Sequence, residues 1–288
     1  MGTESHKLWS WQPINEPRPS AVGSAASRAP FPELSVQSWI MSGTGNSNYH
    51  SLSGKLQHRV GQGLTLMTSY TWSKSIDLSS SARAHAGEQQ FPQTTHCLQC
   101  ERGLSIFNIA HRMVTSTLYE LPFGKGKTLL NRGGVLNVIA GGWQVSSILT
   151  LHTGLPATII NGYDAPNYGQ TISRPNATGA AVALPRGEQG PDHFFNTDAF
   201  TRAALGTFGN VGRNTLIGPG LIDWDFSAIK NFAVRENQQL QFRLEFFNLP
   251  NHPNWALPST TLTDTNFGKI RSTRTDMRDI QLGLKYVF

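Results

Sequence analysis

From Arg278 to the C-terminus the chain alternates apolar and polar side chains. Ile280, Leu282, Leu284, Tyr286 and Phe288 share one parity, while Asp279, Gln281, Gly283, Lys285 and Val287 share the other. Successive side chains of a strand point to opposite faces, so this period fits a β-strand with one oily and one largely wet face. Gln238–Asn248 repeats it, with Leu240, Phe242, Leu244 and Phe246 against Gln239, Gln241, Arg243 and Glu245. Gly63–Lys74 sets Leu64, Leu66, Tyr70 and Trp72 against Thr65, Ser69, Thr71 and Ser73. Trp143–Thr153 sets Trp143, Val145, Leu149 and Leu151 against Gln144, Ser146, Thr150 and His152. Weaker copies at Tyr49–Val60, Ile109–Leu121 and Ile222–Ala233 bring the expected strands to about seven. The fold class read from this pattern is all-β.

These segments match the ~9–11 residues with which a tilted strand crosses a bilayer. Aromatic residues gather toward their ends (Tyr70, Trp72, Tyr119, Trp143, Trp224, Phe226, Tyr286 and Phe288), as in the interfacial girdles of transmembrane barrels. Connections alternate between shorter and longer. Gly61–Gly63, Pro122–Gly142 and Val234–Asn237 take turns with Ser75–Asn108, Gly154–Leu221 and Leu249–Met277. An antiparallel up-and-down transmembrane barrel has this rhythm, with brief periplasmic turns and long extracellular loops. A soluble sandwich shares the alternation but hides its oily face against a second sheet, and loops beyond ~12–15 residues are uncommon in it.

Composition agrees. Hydrophobic residues make up 38% and charged residues only 15%, and 28 glycines and 16 prolines punctuate the chain. Turn formers spaced this way favour many strands over long helices. No run approaches the ~18 apolar residues of a spanning helix. The net charge of +6 is scattered, without the basic stripe and interleaved aromatics that nucleic acid requires. The N-terminus, MGTESHKLWSWQPINEPRPS, lacks an apolar core and cleavage site, so no export signal is visible.

Chemical motifs are sparse. Cys97 and Cys100 lie in THCLQC, and His85 and His96 are the loose candidates to complete a zinc site with them. A local disulfide or two free thiols is the preferred reading. His111–Arg112 has no accompanying nucleophile or orienting group. Asp192–His193 lacks the dense aspartate spacing of a calcium loop. The glycines of GTFGNVGRNTLIGPG read as turn formers, because neither a Lys-Ser/Thr pair nor a strand–helix context accompanies them. The expectation is a non-enzyme with no catalytic, cofactor-binding or metal site.

The last strand, RDIQLGLKYVF, resembles the C-terminal assembly signal of bacterial outer-membrane barrels, carried here by Ile280, Leu282, Leu284, Tyr286 and Phe288. Further stretches resemble the barrel of Oar-like TonB-dependent receptors, which often carry a carboxypeptidase-regulatory-like domain. They are Asn46–Arg59, Ser69–Asp77, Ala110–Lys127, Gly141–Thr158, Gly206–Gly220 and Phe242–Trp255. The resemblance covers residues 29–288 and implies outer-membrane lipid as a partner, the barrel-assembly machinery reached through the last strand, and bacterial outer-membrane localisation. Such receptors also carry an export signal, a TonB-engaging segment and a plug inside a barrel of about 22 strands. None of these is visible, and seven strands cannot close that lumen. The chain is therefore expected to be a fragment, with TonB engaged only through a missing N-terminal region and residues 1–28 unstructured or out of family. Arg243, Glu245 and Lys285 are expected to face the lumen, bonding across neighbouring strands or lining a substrate path. The resemblance implies uptake of an unidentified substrate. The alternatives are a structural or adhesive barrel without transport and a secreted β-sandwich enzyme or lectin.

Overall fold

The computed structural model describes residues 1–61, 63–80, 91–131, 134–185, 187–235 and 238–288. Eight long strands follow one another across a single sheet: β1 (Gly2–Pro13), β2 (Trp39–Val60), β3 (Leu64–Asp77), β4 (His111–Glu120), β5 (Trp143–His152), β6 (Leu221–Arg235), β7 (Gln238–Phe247) and β8 (Asp279–Val287). All seven neighbouring pairs are antiparallel. The short strand Gly103–Leu104 joins the end of β3 as a ninth. The result is an up-and-down meander that does not close, since β1 and β8 stand at opposite edges.

Seven of the eight long strands fall where alternation predicts them, and β2 runs ten residues beyond its expected start. The exception is β1, in the segment expected to be unstructured or out of family. Its register with β2 shifts between Ser5 and Leu8 and again between Leu8 and Ser10, and Lys7 has a φ of 56°. Each irregularity resets which side chains share a face, so no unbroken period of two exists to be read. The expected turns Gly61–Gly63 and Val234–Asn237 and the connection Ser75–Asn108 fall partly outside the described residues, at 62, 236–237 and 81–90.

Register brings the apolar parities of successive strands onto one face. Leu66 lies opposite Thr117, Tyr70 opposite Met113, Met113 opposite Leu151, and Leu151 opposite Ile222. Ala228 faces Leu244, which faces Leu282. This band is bare: Leu52 is 69% exposed, Leu282 68% and Leu284 70%. Among the described residues the remaining ladders, Leu216–Ile217 with Pro156–Ala157 and Asn176–Ala177 with Phe200–Thr201, lie within the connections. Among the described residues no second sheet covers Leu240, Phe242, Leu244 and Phe246, which the β-sandwich alternative requires.

Aromatics border the band at both ends. Tyr119, Trp143, Phe232 and Tyr286 lie toward the short turns, and Trp72, Trp224 and Phe226 toward the long connections. Trp224 and Lys230 stand six residues apart on β6, roughly 20 Å along the strand. Lys230 is a cation on the apolar face, opposite Trp143. It donates to the Gly141 carbonyl and lies over the rings of Trp143 (5.6 Å) and Phe232 (5.1 Å), a cation–π cage at the turn-side border. No helix among the described residues is long and apolar enough to cross a membrane, which is silent on strands.

The hydrophobic core lies outside the long strands. Ala157, Ile159, Phe194, Phe195, Phe200 and Ile270 form a buried cluster drawn from the connections, with Phe195 edge-on to Phe200 and Phe267 at 5.8 and 5.2 Å. Elements therefore bury their apolar side chains at one end of the sheet and leave them uncovered along its length.

Candidate functional site

A feature capable of recognition is the unit built from the described parts of four connections at one end of the sheet: 14–38, 78–80 with 91–110, 153–185 with 187–220, and 248–278. Their polar groups are cross-stitched beneath the surface. Arg174 binds Glu101 through two parallel bonds of 2.7 and 3.0 Å, and the side chains are only 4% and 2% exposed. The Glu101 carboxylate also accepts from the Gln93 backbone, and the Gln93 side chain accepts from the Arg174 backbone. Arg213 pairs with the Asp77 carboxylate at the end of β3 and donates to the Glu101 carbonyl at 2.8 Å. Glu16, from the first connection, accepts from the hydroxyls of Thr94 and Thr95 at 2.5 and 2.6 Å. Charges this deep persist only where each is paired and hydrogen-bonded.

Backbone geometry sets these contacts. A Cβ on Gly103 would meet the Arg213 carbonyl oxygen at 2.5 Å, so the approach of the two chains requires glycine there. Asn214, Asn248 and Asn251 hold positive φ values, which asparagine tolerates better than most residues. Asn214 accepts from the Thr158 hydroxyl and donates to the Leu104 carbonyl, both at 2.7 Å. Asn254 accepts from Ile222 N–H and donates to the Ile222 carbonyl, both at 2.9 Å, as a strand partner would. Tyr168 is 1% exposed, and its hydroxyl finds no partner among the described residues. Burial, reinforced by Glu16, Asp164 and Glu101, raises its pKa well above the ordinary tyrosine value.

The residues singled out by sequence are distributed as follows. Arg243, Glu245 and Lys285 share the face opposite the apolar band: Arg243 lies opposite Gly283, Glu245 opposite Gln281, and Lys285 opposite Gln241. Arg243 Nε donates to Gln241 Oε1 at 2.6 Å, and Gln241 donates to Asn231 at 2.9 Å, forming a cross-strand polar chain. Ile280, Leu282, Leu284 and Tyr286 form the bare apolar row of the edge strand β8, and Tyr286 packs near Phe288 with ring centroids 6.2 Å apart. His111 heads β4 and shares a 2.7 Å hydrogen bond with the Tyr70 hydroxyl.

Cys97 and Cys100 form a disulfide, which removes both from thiolate ligation. His85 lies outside the described residues. Asp192 pairs with Arg271 at the surface, and His193 bonds back to Gly190. The segment Gly206–Gly220 does more than turn, since it supplies Arg213 and Asn214. Sequence reasoning missed the buried stitches, because Glu16, Glu101, Arg174 and Asn254 act singly across large sequence separations and leave no period. The one available signal was the density of asparagine and arginine beside glycine and proline.

No curated protein matches the chain significantly. The family described as the outer membrane beta barrel domain matches residues 1–281, which include β1 to β7 and the first three residues of β8. The open antiparallel meander, its bare apolar band and its two aromatic borders agree with that match. The chain belongs to the outer membrane beta barrel domain family.

Proposed function

We propose that this chain forms part of the wall and outer surface of a TonB-dependent receptor that imports a substrate. In this reading the apolar band meets lipid, and the face carrying Arg243, Glu245 and Lys285 meets the lumen. The four stitched connections face outward and capture ligand, and the activity is transport without chemistry. One observation carries the reading: the long connections form a packed unit, joined to one another by the buried Arg174–Glu101 pair and pinned to the end of β3 by the buried Arg213–Asp77 pair. A pre-ordered surface loses little entropy on capturing a ligand, whereas floppy loops would pay that cost on binding. The Oar-like resemblance supplies the direction of transport and the TonB partner.

The test is the coding sequence upstream of Met1, followed by expression of the extended frame in an outer membrane. An in-frame plug-like domain, together with TonB recovered by crosslinking to the segment before it, is the expected result. A frame that supplies only a leader and further strands overturns import in favour of an adhesive or structural barrel, since adhesion needs neither plug nor TonB.

A further inference from the structure

A cavity of about 730 Å³ lies beneath the connections on the apolar face of the sheet. Its floor is one cross-strand row of four directly paired residues, Tyr70, Met113, Leu151 and Ile222. Its roof comes from the connections, through Phe194, Ile217 and Trp255. The next row toward the connections is Trp72 and His111, and the next toward the turns holds Leu149 and Trp224. The recess therefore sits at the level of one aromatic border and is continuous with the band below it. Polar groups gather around the walls: the Tyr70 hydroxyl bonded to His111, His252 bonded to Asn254 at 3.2 Å, and Gln189.

The volume falls within the ~300–1,000 Å³ of ordinary ligand pockets, and an apolar lining with a few polar groups suits an amphiphile. Because the floor belongs to the surface that meets the bilayer in this family, what enters it laterally is lipid. We infer that the cavity holds one acyl chain of an outer-leaflet membrane lipid, with its ester or headgroup oxygens against Tyr70 and His111. The leaflet assignment rests on the proposed outward orientation of the connections. Filling the recess with hydrocarbon removes Met113, Leu151, Ile222 and Trp255 from water, which favours binding. The bound lipid would tie the connection unit to the sheet on the side opposite the Arg213–Asp77 pair.

The test uses the full chain in vesicles. No free cysteine exists among the described residues, so single labels at Ile217→Cys and Leu282→Cys report the roof and the bare band separately. Both fluorophores should be quenched by lipids carrying a nitroxide on the acyl chain, and weakly by a water-soluble nickel chelate. If Leu282→Cys responds to lipid but Ile217→Cys responds only to nickel, the cavity is aqueous and the inference falls while the membrane reading stands. If neither responds to lipid, both fall. Ile217 is half-exposed, so Ile217→Trp fills the recess with little risk to folding. Mass spectrometry after detergent exchange should find one lipid on the parent chain and about tenfold less on this variant, the equivalent of roughly 1.4 kcal/mol. Equal retention by the two chains overturns the site.

Discussion

Asn254 is 1% exposed, and both ends of its amide are bonded to the backbone of Ile222, with a further bond to the Thr275 hydroxyl at 3.0 Å. It extends the ladder of β6 by one partner on the side where the pairing with β7 has ended, while β5 still pairs on the other side, so the start of β6 keeps its backbone groups satisfied inside the connection unit. Alanine in its place would leave the N–H and carbonyl of Ile222 without partners, at a cost of about 1–3 kcal/mol. Urea unfolding of Asn254→Ala in detergent should show this loss. Unfolding at the parent midpoint would mean that water replaces the amide without penalty. Asn254 illustrates what a lone sequence conceals. In LPNHPNW the asparagines look like loop composition, and nothing local distinguishes Asn254, which completes a strand ladder, from the exposed Asn251.

Strands were the legible part, because a period of two repeats the same evidence at every second residue. In β7 the signal is clean, and register confirms the two faces: Leu244 lies between Ala228 and Leu282, and Gln241 between Asn231 and Lys285. Arginine at Leu244 places a charge in the middle of the lipid-facing band and should cost roughly 2–4 kcal/mol. Arginine at Gln241 enters a row that already holds Asn231 and Lys285 and should cost under about 1 kcal/mol. Unfolding of both variants in lipid vesicles checks the pair, and equal losses would refute the faces. The signal failed in β1 for a mechanical reason, since two register shifts within the strand change which residues share a side. Its seven charged or hydroxyl-bearing and aromatic neighbours could not be sorted into faces until β2 was present to fix the pairing. The connection core was illegible for a different reason: Phe194, Phe195 and Phe200 lie in a segment without period, and their partners Phe267 and Ile270 are some seventy residues away.

At the scale of the whole molecule, two features set how the parts depend on one another. The first is the Arg174–Glu101 pair, which joins two connections and is buried. Glu101→Gln leaves the guanidinium buried without its counter-charge, which costs about 3–5 kcal/mol. The exposed Arg271–Asp192 pair has the same 2.7 Å contact but is worth no more than about 1 kcal/mol. Asp192→Asn is therefore the matched control, and proteolysis of the connections should accelerate only in Glu101→Gln. The second feature is the open sheet. The outer edges of β1 and β8 present a row of backbone N–H and C=O groups, and in hydrocarbon each unpaired group costs several kcal/mol. The two open edges therefore each require a backbone partner in a bilayer, whether each other, a second copy or further strands. Amide exchange in detergent reads this directly. Alternate amides of β1 and β8 should exchange at rates near those of free peptide, while β5 and β6, paired on both sides, should stay protected. Protection at β1 and β8 equal to that of β5 would show that the two edges have closed on each other or on a second copy. Slow exchange appearing only when upstream strands are supplied would identify those strands as the missing wall.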